Sequence, residues 1–294
     1  MSTTSPQSTY TRKTMRDIIS YYDDTRWDYQ LLWFSKKTRA VHFGFYDETA
    51  QKHSDALVNM NRVLARTVDI GPGDRVLDAG CGQGGSSVWL AQNLGVEAVG
   101  ITPVESQVRL ARAYAEKQGM GDQVQFEIGD YTGTRFEDAS FDVVWACESL
   151  CHADRKEEFY REAFRLLKPG GRLIVAEYIR SNDSYHAEGE RLLTEWLHGW
   201  AINRIDSKQA HLDHAGQAGF TDVVIRDVTK NTEPSLRVLY RLSIFFTPLG
   251  HLLNFLGIRN AYQHGNLIGS LRQYEALQKG YWFYGIISAR KPEV

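Results

Sequence analysis

Two stretches of this chain carry residues whose types and spacing can do chemistry. The first is Val76-Leu77-Asp78-Ala79-Gly80-Cys81-Gly82-Gln83-Gly84-Gly85, an apolar run that meets a carboxylate and then a glycine-rich turn. Glycines permit positive φ and let a ligand approach the backbone. A strand turning into a helix offers ligands its carboxyl edge, and Asp78 places a carboxylate above such a turn. A phosphate-binding P-loop needs Gly-Lys-Ser/Thr after its glycines, whereas Gly84-Gly85-Ser86 has no lysine. A dinucleotide site wants an acid at the end of the second strand, where this chain reads Gly100-Ile101-Thr102-Pro103. Both phosphate readings are weakened, and a tight turn without ligand is the plain alternative. The second stretch is Glu148-Ser149-Leu150-Cys151-His152-Ala153, just past another apolar run. Glu148 and His152 are general-base candidates, although Glu148 also suits a salt bridge or a helix N-terminal charge. Cys147, Cys151 and His152 fit no common zinc spacing, so no metal is expected.

These residues need elements to hold them. Strand-like runs fall at 75–79, 98–101, 124–128, 141–146 and 172–177, and helix-like runs at 86–93, 105–118 and 155–167. Pro169-Gly170-Gly171 reads as a break before the fifth strand. Strands alternating with helices predict a parallel sheet with helices on both faces. The remainder is less regular: 183–205 and 207–218 read as helices, 221–227 as a strand, 235–277 as one apolar helical insertion and 282–289 as a last strand. The fold class is therefore doubly wound, Rossmann-like α/β: a seven-stranded, mostly parallel sheet with its last strand antiparallel, N-terminal helices and helical cap insertions. Residues 1–11 read as a polar, disordered tail, and 12–294 as one domain. Within it, 12–69 forms an N-terminal helical lid, 70–180 the cofactor-binding core, and 181–220 and 232–280 substrate-cap insertions.

Composition narrows the function. The 294 residues carry a formal net charge of −2, with no global basic field to hold nucleic acid. No run is long enough to span a bilayer. The uncharged Ser243–Gly257 segment, interrupted by Pro248, reads as a cap helix pair or a membrane-surface patch. Three cysteines argue against a disulfide framework and for a reducing, cytoplasmic setting.

The run Asp78-Ala79-Gly80-Cys81-Gly82-Gln83-Gly84-Gly85 resembles the nucleotide-binding loop of class I S-adenosylmethionine-dependent methyltransferases. Gly129-Asp130-Tyr131, Phe141-Asp142-Val143-Val144-Trp145 and Leu167-Lys168-Pro169-Gly170-Gly171 match later landmarks of that family, so the likeness covers about residues 60–180. It implies S-adenosylmethionine as cofactor, held by Asp78, Gly80, Gly82 and Gly84, with Asp130 and Tyr131 at the adenine. Cys147, closing the fourth strand, belongs to the same cofactor-binding set. Many members place Asp or Glu after the second strand. Here Thr102 and Gln107 look like the Thr/Gln pair of a subgroup that includes tocopherol methyltransferases and cyclopropane fatty-acid synthases. A hydroxyl and an amide can bond a diol without burying a charge, while Thr102 equally suits a helix cap. Glu148-x-x-Cys151-His152-Ala153 resembles sterol C-methyltransferases. Tyr21-Tyr22-Asp23 and His42-Phe43-Gly44 look like N-terminal elements of the sterol and tocopherol enzymes, which implies that Tyr22 closes over the cofactor's methionine portion and joins the catalytic set.

Trp27, Trp33, Phe34, Phe43, Phe45 and Tyr46 are candidates for one apolar pocket wall, and Trp196, Trp200, Phe245, Phe246 and Phe255 for another. Lys36, Lys37, Arg39, Arg204, Arg237 and Arg241 are the cations available to a prenyl diphosphate. The expected activity is C-methylation of a small apolar, isoprenoid-like molecule (terpenoid, prenyl diphosphate, sterol or prenylquinol), with cyclisation open. The alternatives are an O- or N-methyltransferase of natural-product tailoring and a non-catalytic binding protein on the same scaffold. A homodimer or higher homo-oligomer through the N-terminal helix is a further expectation.

Overall fold

A computed structural model describes residues 12–32 and 38–293. The 1–11 tail, Trp33, Phe34, Lys36, Lys37 and the Trp27 side chain lie outside what is described. In chain order the elements are α1 Met15–Leu32, α2 His53–Thr67, β1 Arg75–Ala79, α3 Gly85–Leu94, β2 Glu97–Thr102, α4 Glu105–Lys117, β3 Val124–Ile128, β4 Phe141–Cys147, a single 3-10 turn Leu150–His152, α5 Lys156–Leu166, β5 Leu167–Arg180, α6 Ala187–Gly199, α7 Lys208–Ala218, β6 Thr221–Asp227, α8 Thr229–Phe255, α9 Ala261–Gln278 and β7 Trp282–Arg290.

The seven strands form one sheet in the order β3-β2-β1-β4-β5-β7-β6. β1 to β5 pair in parallel, and β7 runs antiparallel between β5 and β6. The central strands read Val-Leu, Ala-Val-Gly-Ile and Val-Val-Trp-Ala because helices cover both of their faces. Val76, Leu77, Ala98, Val99, Val143 and Val144 are accordingly buried. Amphipathic spacing makes α2 and α4: Ala56, Leu57, Met60 and Leu64 recur on one face, as do Val108, Ala111 and Ala115.

Three boundaries differ from the sequence expectation. Pro169-Gly170-Gly171 does not end the pairing but is absorbed as an irregularity in β5. Phe141 pairs with Leu167 and Val143 already with Arg172, and Gly170 takes φ +74°. The helix expected over 183–205 is only α6, and the chain then crosses the sheet edge without regular structure. The helical insertion expected over 235–277 begins earlier, at Thr229, and is two helices, α8 and α9, turned at Gly257 with φ +70°. Pro248 sits inside α8 without ending it.

The helical insertions gather at one end of the sheet. α9 packs on α1, α6 and α8. Tyr21 on α1 donates to Asn266 on α9 at 2.8 Å, and Tyr262 to Asp17 at 2.8 Å. Beneath them Tyr178, Trp196, Trp200, Trp282 and Tyr284 interlock edge-on, with ring centroids 4.8–6.2 Å apart. No helix among the described residues is long and apolar enough to cross a membrane.

The α6–α9 seam depends on glycine. A Cβ at Gly199 would lie 2.3 Å from the Gly265 carbonyl oxygen. Gly199→Ala gains about 1 kcal/mol of helix propensity, but forcing backbone apart costs about 1–3 kcal/mol or more. We expect a net loss and a melting temperature lower by roughly 2–6 °C. A calorimetric scan showing an unchanged or raised melting temperature would contradict the seam.

Candidate active site

The carboxyl ends of β1, β2 and β4 open into a cavity of about 690 Å³, roofed by α1, α8 and α9. Its floor is the glycine turn after β1. Gly80 and Cys81 donate their N–H groups to the Ile101 carbonyl at 2.9 and 3.0 Å, which ties the turn to β2. Gly80 takes φ +93°, and a Cβ there would meet the Ser149 side chain at 2.3 Å. Ser149 donates to the Ala79 carbonyl at 2.5 Å and its own carbonyl accepts from the Tyr131 hydroxyl at 2.6 Å. One serine thus clamps the ends of β1, β3 and β4 together.

Asp78 lines the cavity but is almost wholly buried, and burial pushes its carboxyl up to about 6 against a 2.5 Å hydrogen bond from Ser87. Gly80 and Gly82 line the cavity, whereas Gly84 does not. A Cβ at Gly84 would meet Phe126 at 2.6 Å, so that glycine serves close helix–strand packing. Thr102 and Gln107 are buried on the wall. Thr102 Oγ1 donates to Gln107 Oε1 at 2.7 Å, which turns the amide nitrogen into the pair's donor. Asp130 also lines the cavity, its carboxylate held by Thr132 N and Oγ1 at 2.8 and 2.7 Å, beside Tyr131. Cys147 completes this wall, its thiol pushed far up by burial.

These residues fit a sulfonium nucleoside better than a phosphate. The turn has no lysine, and an anion at this edge would face Asp78 and Asp130. A diol meets the neutral Thr102–Gln107 pair, and the backbone at Gly82 is open, its nearest neighbour for an added Cβ being Val41 at 3.9 Å. S-adenosylmethionine would be held by that set. Among the described residues, no group of three or more His, Cys, Asp or Glu is arranged to hold a metal.

The opposite wall carries the second motif. Glu148 takes φ +51° at the end of β4, which swings its side chain inward. Its Oε1 accepts from the Phe43 backbone N–H at 2.6 Å and from the Tyr284 hydroxyl at 2.6 Å, and its Oε2 from the Tyr178 hydroxyl. Burial pushes this carboxyl up to about 7, and the three donors hold it from rising further. His152, in the 3-10 turn, meets the Tyr22 hydroxyl at Nε2, 2.8 Å away. Burial lowers its imidazole to about 4, so the ring is neutral. With Tyr22 as donor, Nε2 is the acceptor and Nδ1 carries the proton. Behind this turn Glu177 accepts from the Cys151 and Tyr178 N–H groups at 2.7 and 2.8 Å, and burial raises it to about 8.

Glu148, His152 and Tyr22 therefore face one cavity, together with Asp78, Gly80, Gly82, Thr102, Gln107, Asp130, Tyr131 and Cys147. Of the predicted aromatic walls, Phe43, Trp200 and Phe246 line it. Phe45 and Trp196 are core, Tyr46 bonds His53 at 3.0 Å, and Phe245 and Phe255 face outward. Arg39 stands at the rim, bonded to Gln83 at 3.0 Å. Arg204 is paired with Asp206, Arg237 with Glu233, and Arg241 is exposed. Sequence reasoning missed Tyr178, Tyr284, Ser149 and Glu177. Tyr178 and Tyr284 are directly opposite across β5 and β7, a register visible only once the antiparallel pairing is known.

The comparisons with known proteins agree with this geometry. A family model described as "Methyltransferase domain" matches residues 77–175. The chain is 35% identical over 197 residues to 27-O-demethylrifamycin SV methyltransferase of Amycolatopsis mediterranei, covering 66% of this chain and 71% of that one. It is 33% identical over 218 residues to sterol 24-C-methyltransferase of Eremothecium gossypii, covering 73% of this chain but only 57% of that enzyme's length. Among solved structures, the (4+2)-cyclase SpnF superposes with a TM-score of 0.78 at 22% identity, over 96% of this chain and 98% of that one.

The Glu148 carboxyl offers a direct check of the wall. Donation to a carboxylate favours its ionised form, so Tyr178→Phe should raise the Glu148 pKa above about 7. A carbon-13 carboxyl titration of glutamate-labelled protein reads this, and an unchanged or lowered midpoint contradicts the assigned bond.

Proposed function

Because the chain belongs to the class I S-adenosylmethionine-dependent methyltransferases, we propose that it methylates a carbon atom of a small, apolar, isoprenoid-like acceptor, with Glu148 as the base. The observation that carries this reading is the Glu148 carboxyl, poised near neutrality on the side of the cavity that Ile18, Phe43, Trp200, Ile202, Phe246 and Leu267 also line, away from the Asp78 and Asp130 edge. Likeness to a sterol C-methyltransferase supports it.

The bound cofactor supplies an electrophilic methyl group. This chain's residues then have three tasks. Gly80, Gly82, Thr102, Gln107 and Asp130 hold the nucleoside, and Tyr22 closes the methionine end. The apolar wall aligns an alkene and excludes water, which is where positioning contributes most. As the alkene's electron pair takes the methyl carbon, the sulfur–methyl bond would break with its pair left on sulfur, and positive charge would develop on the neighbouring carbon. The ring faces of Phe43, Tyr178 and Trp200 favour that charge. Glu148 takes the proton from the adjacent carbon, whose bonding pair restores the double bond. Ring closure before proton loss belongs to the same scheme.

The pH sign follows from the base. Glu148 accepts a proton only when ionised, hence above about 7. We expect kcat/KM to climb as pH rises through neutrality. Glu148→Gln should lower the rate by about 10²–10⁴-fold and remove that limb. A variant retaining wild-type rates on the true acceptor excludes Glu148 as base. Gln107→Leu should weaken S-adenosylhomocysteine binding by roughly tenfold, one good hydrogen bond's worth, read by isothermal titration. The acceptor itself is found by mass spectrometry on an isoprenoid panel with a deuterated methyl donor. Label appearing only on a sugar or an amine overturns the reading.

A second reading is methylation of a hydroxyl oxygen. The hydrogen-bonded Tyr22–His152 pair and the likeness to the rifamycin enzyme favour it, with His152 taking the hydroxyl proton. The two differ in whether the labelled methyl sits on carbon or oxygen.

A further inference from the structure

α8 has two apolar faces, and only one is covered. Leu239, Ser243, Phe246, Gly250 and Leu253 recur at three- and four-residue steps and line the cavity. At about 100° per residue, Phe245, Leu249, Leu252 and Leu256 form a second stripe about a third of a turn around from the first, continued by Phe255 and Ile258 at the α8–α9 corner. Phe245 is 76%, Phe255 87% and Ile258 65% exposed. Single exposed apolar residues need no explanation, but a contiguous patch marks a docking surface.

The charge around the patch selects the occupant. From Pro234 to Tyr274 the chain contains no Asp or Glu and carries four arginines, of which Arg237 pairs with Glu233 and Arg272 with Glu195 and Glu275. Arg241 is exposed beside the stripe and has no ion-pair partner among the described residues. The His251 and His264 rings lie 5.0 Å apart at the same corner as Arg259. A second copy pairing through the same patch would bring the two copies of Arg241 to one interface. An apolar stripe beside the exposed Arg241, on a stretch of chain with no acid of its own, suits a surface that is apolar within and anionic at its edge. Leu249 adds continuity: it is 50% exposed and also lines the cavity, so the apolar wall runs out to the surface.

We propose that the outer face of α8 and the Phe255–Ile258 corner dock on an anionic lipid bilayer, with the cavity opening toward the acyl region at Leu249. Docking stands on the patch alone; only the delivery of an acceptor through that opening rests on the apolar-acceptor reading. The test is flotation of the full chain with vesicles of phosphatidylcholine, and of phosphatidylcholine with phosphatidylglycerol. The chain should float with the mixed vesicles, and added salt should weaken this. The double variant Phe245→Ser, Phe255→Ser should bind them roughly tenfold more weakly or worse, with its melting curve and S-adenosylhomocysteine affinity unchanged. Arg241→Gln should lose part of the preference for anionic vesicles. The proposal falls if the chain ignores both vesicles, if the double variant floats like the parent, or if the patch instead holds a dimer that the double variant dissociates in sedimentation. Failure to methylate an isoprenoid added in detergent would count against the acceptor reading and leave flotation untouched.

Discussion

A carboxyl group in the middle of an aromatic core is the constraint around which this molecule is arranged. Glu148 is half-buried in the cavity wall and makes no salt bridge among the described residues. Its charge is met by three neutral donors from three separate places: the backbone before α2, the end of β5 and the start of β7. Neutral donors leave the carboxyl above its ordinary range, unlike a buried cation, which would depress it. Folding bears the cost of that choice. A carboxyl raised from 4.5 to about 7 contributes nothing unfavourable below about pH 4.5. It withdraws stability as pH climbs to 7, by about 3 kcal/mol once fully ionised. On the proposed reading, that loss of stability keeps Glu148 poised near neutrality as the base.

The supporting groups follow from it. Phe43 can reach Glu148 only because the segment before it lies across the glycine turn, where a Cβ on Gly85 would strike the Thr38 carbonyl at 2.5 Å. Tyr178 and Tyr284 can converge only because β7 enters the sheet antiparallel beside β5. Glu177 holds the Leu150–His152 turn through the Cys151 N–H, and buried Lys156 fixes the following loop through the Ala153 and Arg204 carbonyls at 3.1 and 2.9 Å. Glu148 raises Glu177. Lys156 lowers Glu177, the one of the two that works as a brace.

What could be read from the sequence follows the range of the interactions. The glycine turn, Thr102–Gln107 and the Glu148–His152 segment are local, each set by residues within a few positions, and they land around one cavity. Alternation of strands and helices predicts the sheet because buried parallel strands are uniformly apolar. The misreadings are where tertiary contacts override local preference. Pro169-Gly170-Gly171 looks like a stop but is carried into β5 by pairing on both sides. Gly84 looks like a ligand glycine but is needed by Phe126. Trp196 and Phe45 look like pocket walls, yet their spacing fits a helix or strand packed inward equally well. Tyr178 and Tyr284, some hundred residues apart, carry no local signal at all.

The same division explains why the methyl donor is easier to infer than the acceptor. The donor side is one contiguous turn and the ends of neighbouring strands, and its glycine, threonine and glutamine positions leave little freedom. The acceptor side is assembled from α1, the segment after α6, α8 and α9, four pieces that meet only in the folded chain. Each contributes a few apolar side chains, and any of them can change size without disturbing the sheet. Structures with this architecture accordingly include a cyclase, and relatives by sequence include both C- and O-methyltransferases. Shared architecture therefore constrains where the reactive methyl sits, while on the proposed reading the shape of the roof and the ionisation of Glu148 decide which atom it meets.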